Sequence, residues 1–85
     1  MSEDEPFRYR AEVLDRLWVH GVQPTGRTRP ELVRDYVRDL YKYEIRRLRD
    51  RYVRREFTKP EYAVKVDLLR RQYPVLALRA RDWIE

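Results

Sequence analysis

Cysteine is absent from this chain of 85 residues, so neither a disulfide framework nor a thiolate metal site is available to it. A single histidine is present, and no cluster of histidines and carboxylates sits at metal-ligand spacing. Glycine occurs only twice, which leaves no glycine-rich phosphate loop, and there is no nucleophile elbow. The longest apolar run is VLAL, far short of a membrane span. The opening MSEDEPF is acidic with no apolar stretch behind it, so no secretory leader is read there and the expected location is cytoplasmic. These absences set the expectation of no enzymatic activity, no cofactor, no metal, no membrane and no small-molecule substrate.

What the chain has in quantity is charge. Charged residues make up 41% and hydrophobic residues 42%, with a net charge of +5. That much apolar and aromatic content suits a folded domain rather than a disordered segment. A chain of this length buries only about 60–65% of the surface its unfolded form exposes, so the core is thin. Arginine outnumbers lysine 17 to 3, asparagine is missing and methionine occurs once, a thermophile-like depletion of labile residues.

Helical periodicity covers most of the sequence, and no alternating run is long enough to argue for a sheet. The expected fold is all-α: a three-helix domain with one long central helix, an antiparallel hairpin of the second and third helices, and a C-terminal tail packed back on the core. The first helix is expected over residues 6–20, because Phe7, Ala11, Leu14 and Trp18 recur at helical spacing with Leu17 beside them. Gly21 ends it as a left-handed residue, and Val22 then falls where it would touch Leu17. The second helix is expected over 29–56, opened by TRPE, in which Thr28 and Glu31 can form a capping box. Nothing inside it breaks a helix, and at about 1.5 Å per residue it would span roughly 40 Å. TKPE repeats the device from Thr58 to Glu61 and opens a third helix over 60–73, which Pro74 closes. Residues 74–85 form the tail.

The first half of the long helix presents an apolar arc of roughly 220°, from Leu32 and Tyr36 through Leu40, Val33 and Val37 to Tyr41 and Ile45, at about 100° per residue. One neighbouring helix cannot cover that width, so the first helix and the tail residues Val75, Leu76, Leu78, Trp83 and Ile84 are expected to share it. In the second half the arc narrows to Leu48 and Tyr52, faced by Tyr62, Val66, Leu69 and Tyr73. The vacated sector is filled by Arg47, Arg51, Arg54 and Arg55. Residues 46–56 sum to +4 of the net +5, so nearly all the excess charge lies near one end of the hairpin. Part of that placement is structural, since cations are favoured at a helix C-terminus by about 0.3–1 kcal/mol.

Leu48 and Tyr52 on one helix, followed by Phe57, Thr58, Glu61, Tyr62, Lys65, Leu68 and Leu69, resemble the SHOCT family, a short helical hairpin usually found at protein C-termini. The resemblance covers residues 48–69. It departs from the family pattern at Arg55, near where glycine is common, and at Pro60, where an acidic residue is usual. What it implies is an assembly or interaction element attached to other proteins.

Individual residues have structural readings. His20 near a helix end is expected to act as a favourable terminal charge. Glu44 falls inside the apolar arc, so it needs a partner, and Arg47 or Arg51 lies on its side of the helix. Most tyrosines and tryptophans fall on apolar faces and are expected to pack, with Tyr9 and Tyr43 at the margins. Two functions remain. One is protein interaction through helical surfaces, by self-association or by docking on a helical partner. The other is phosphate-backbone binding to nucleic acid through Arg46, Arg47, Arg49, Arg51, Arg54 and Arg55, with Arg70 and Arg71 nearby.

Overall fold

A computed structural model describes residues 6–85, so residues 1–5, whose acidic residues 3–5 entered the expectation about location, lie outside the described part. The protein is all-α. Helix α1 runs Ala11–Trp18, α2 Pro30–Val53 and α3 Lys59–Arg71, followed by two 3₁₀ turns, Pro74–Ala77 and Ala80–Trp83. The long α2 gives a rod of 54 × 18 × 17 Å. None of the described helices is long and apolar enough to cross a membrane.

The core lies against the first half of α2. Val13 and Leu17 from α1, Val33 and Val37 from α2, and Tyr73, Val75 and Trp83 from the tail region are all buried. As expected, the tail returns over this half. Its backbone is held by Arg34, whose guanidinium donates to the carbonyls of Leu76 and Leu78, each at 2.8 Å. The Trp83 indole N–H donates to the Val75 carbonyl at 3.1 Å, so the largest buried ring leaves no polar atom unpaired.

The first helix begins at Ala11 rather than near residue 6, because residues 7–10 are extended and paired with distant backbone. Arg10 N–H donates to Trp83 and Glu85 N–H to Arg8, with an isolated antiparallel bridge from Tyr9 to Ile84. The face of α1 that enters the core is Val13 and Leu17; Leu14 and Trp18, placed on the apolar stripe by spacing, stand 37% and 61% exposed. The end of α1 follows expectation. Gly21 is left-handed at φ 73°, Val22 N–H reaches the Leu17 carbonyl at 3.1 Å, and Gly21 N–H reaches Trp18 at 2.8 Å.

The two T-x-P-E segments behave differently. At the second, Thr58 caps α3: its hydroxyl accepts from Glu61 N–H at 3.3 Å and its own N–H donates to the Glu61 carboxylate at 3.4 Å. At the first, the expected box is replaced. The Thr28 hydroxyl accepts instead from Thr25 N–H at 3.0 Å, and the Thr28 carbonyl accepts from the Tyr9 hydroxyl at 2.5 Å. Arg29 becomes the extended residue before α2, a conformation that the following buried Pro30 itself favours.

Helix α2 ends at Val53, short of residue 56, in the same hydrogen-bond pattern that closes α1. Glu56 N–H reaches Arg51 and Arg55 N–H reaches Tyr52, with Arg55 left-handed at φ 63°. Helix α3 then folds back along the second half of α2, ending at Arg71 so that Tyr73 can turn into the core. Contacts here are only half-buried, led by a stack of Tyr52 on Tyr62 with ring centroids 4.4 Å apart.

Two predictions follow from these features. A left-handed residue with a side chain costs about 1–2 kcal/mol, partly offset in glycine by its freer unfolded chain. Arg55→Gly is therefore expected to stabilise the fold by about 0.5–1 kcal/mol in chemical denaturation. Tyr9 is pushed up from 10.0 to about 12, first by burial and then by the Glu31 carboxylate. The fold holds the neutral phenol, so its contribution is complete below pH 10 and is lost as pH rises towards about 12. Denaturation midpoints should fall through that window, and Tyr9→Phe should remove part of the fall, leaving the part due to Tyr73, which burial and Glu44 also raise.

Candidate interaction surface

Of the six arginines between residues 46 and 55, five make no ion pair among the described residues: Arg46, Arg47, Arg49, Arg54 and Arg55. Arg51 is the exception, bound to Glu56 at 3.0 Å and lying over the Phe57 ring. The six do not form one patch. At about 100° per residue, Arg47, Arg51 and Arg54 share a side of α2, whereas Arg46 and Arg49 lie roughly 80–200° around it. Arg55 has already left the helix with its backbone reversed. Helical spacing alone was enough to show this dispersal.

Arg47 and Arg51 meet Lys65 of α3 along a groove of about 360 Å³ whose lining includes Leu48, Leu68 and Leu69, with Glu44 also present. Its cations are partly engaged already: Arg51 by Glu56, and Lys65 by the Phe57 ring at 5.3 Å. Arg47 turns the other way, over the ring of Tyr43 at 5.8 Å. This places a guanidinium on the outward face of α2.

Glu44 does not pair with Arg47 or Arg51. Its carboxylate accepts a hydrogen bond from the Tyr73 hydroxyl, which reaches it from beyond the end of α3. The reason is Tyr73 itself: buried to 5%, edge-on to Tyr41, it has a phenol that must find an acceptor. His20 stacks on the other side of that ring, centroids 4.1 Å apart, and donates from Nε2 to the Gln72 carbonyl at 2.6 Å. It thus ties the end of α1 to the C-terminal cap of α3, a role visible only once the two ends are brought together.

The wide apolar arc of α2 is covered on one side only. Val33 and Val37 face the core, while Leu32, Tyr36 and Tyr43 stand 60%, 55% and 57% exposed. These three lie on a strip of the helix centred about 100° from the buried face. Beside the strip, Leu32 and Tyr36 border a shallow hollow of about 260 Å³ with Val22 and Pro24 of the α1–α2 loop. The expectation that α1 and the tail would together cover the whole arc is corrected: both pack on the Val33–Val37 side and leave Leu32 and Tyr36 open. Among the described residues, no group of three or more histidines and carboxylates is placed to hold a metal ion.

No protein-family model, curated protein or solved structure matches the chain.

Proposed function

We propose that the protein is a non-enzymatic interaction module that works by self-association through the outward face of α2. The observation that carries this reading is the row of Leu32, Tyr36 and Tyr43, each more than half exposed along one strip of a single helix. Scattered exposed apolar residues are normal, but a row at helical spacing is the form in which helices dock on one another. The resemblance of residues 48–69 to the SHOCT hairpin, an assembly element, supports the reading, as does a left-handed Arg55 near the family's glycine. A cytoplasmic location belongs to it as well, since a cysteine-free chain has no need of an oxidising compartment.

A second reading, binding to the phosphate backbone of nucleic acid, is favoured by Arg46, Arg49, Arg54 and Arg55, which make no ion pair among the described residues. Their spread around the rod suits loose contact with a polyanion rather than base readout.

Sedimentation equilibrium over a rising concentration series tests the first reading. The mass is expected to climb from 10.6 kDa towards twice that value, and a strict monomer at high micromolar concentration overturns self-association. Titration with duplex DNA tests the second. Binding through these arginines would weaken with a log–log salt slope of about −0.9 per phosphate neutralised, and no binding at low salt removes it.

A further inference from the structure

The outward strip of α2 has a symmetric sequence. Leu32, Tyr36, Asp39, Tyr43, Arg47, Asp50 and Arg54 follow one another at spacings of four, three, four, four, three and four residues. At about 100° per residue they stay within a strip roughly 80° wide. The spacings read identically in both directions from Tyr43, whereas the charges do not: Asp39 precedes it and Arg47 follows it by the same step.

We infer that the surface covering this strip is a second copy of the chain, its α2 antiparallel to the first across a twofold axis at Tyr43; the inference rests on the self-association reading above. In a twofold interface, residue i meets j as j meets i. Positions equidistant from Tyr43 therefore face one another. Asp39 meets the second copy's Arg47, and the symmetry makes two such pairs. The Tyr36 hydroxyl donates to the second copy's Asp50 carboxylate, the aliphatic stem of Arg54 lies over Leu32, and the two Tyr43 rings meet at the axis.

Within one chain these groups cannot satisfy each other. Asp39 and Arg47 are eight residues apart on the same helix, a rise of about 12 Å. Neither has an ion-pair partner among the described residues. Arg47 already lies over the Tyr43 ring at 5.8 Å, near the proposed axis. Other centres fit worse. A twofold at Asp39 sets that carboxylate against itself, one at Arg47 sets guanidinium against guanidinium, and one at Tyr36 leaves the basic half unopposed. Like charges brought together in an interface are strongly disfavoured.

The test uses the full chain and measures its mass by sedimentation equilibrium, with circular dichroism melts to confirm that each variant folds. Asp39→Arg and Arg47→Asp are each expected to weaken the dimer about tenfold or more. Mixing the two variants should restore a heterodimer, because both cross-copy pairs are again opposite in sign, and the double variant Asp39→Arg/Arg47→Asp should restore the homodimer. The chain has no native cysteine, so Tyr43→Cys supplies a lone thiol at the axis and should give a disulfide-linked dimer on mild oxidation, while Leu32→Cys should not. A wild-type dimer that shows neither charge-swap rescue nor cross-linking through Tyr43→Cys overturns the antiparallel arrangement and leaves self-association standing. A wild-type monomer overturns both.

Discussion

Burial of Trp83 is the interaction on which the rest of the structure depends. The indole is fully enclosed, and it can be so only because the tail doubles back across α2 and carries the ring into the core cluster that also holds Val13 and Leu17 of α1. An aromatic of that size buries some 150–250 Å², which in a domain this small is a large share of the apolar burial available. The tail has little regular structure to hold its own backbone in place. Arg34 supplies what is missing by forking onto two of its carbonyls, which converts a surface cation into a clamp.

Because the tail and α1 occupy one side of the first half of α2, the molecule divides along its length. One end has a core of interlocked side chains; the other is a two-helix hairpin in which α3 is partly exposed throughout and aromatic stacking at the turn replaces deep burial. Tyr73 stands at the junction, touching His20 just after α1 and both Tyr41 and Glu44 of α2. It couples the well-packed end to the hairpin. Charge is distributed accordingly, since a hairpin with no deep interior keeps its arginines at the surface, where Arg51 meets Glu56 and Arg47 lies over Tyr43.

Local patterns in the sequence disclosed the local structure. The long helix, the capping box at Thr58 and the stop at Gly21 are each encoded within a few residues of where they act, and each is present. What failed to show was pairing between remote segments. Residues 7–10 continue the helical periodicity but bond to Gly26 and to residues 83–85, and Thr28 has a cap sequence but is engaged by Thr25 and Tyr9. Spacing offers Glu44 the guanidinium of Arg47 or Arg51, one or two turns away, whereas its partner is a phenol 29 residues on. For the surface, the arginine positions and the symmetric spacing about Tyr43 were already in the sequence. Which side of the over-wide apolar arc would stay uncovered depended on the path of the tail, and no periodicity records that path.

The bond between Glu85 and Arg8 has a topological consequence. With its first described segment fastened to its last, the backbone is almost a closed ring, pinched where Tyr9 meets Ile84. Residues 8–10 and 83–85 therefore share one pole of the rod, with the α2–α3 turn and its arginines at the other. A single pinch of backbone thus fixes which residues share a pole, although they stand some 75 residues apart in the chain.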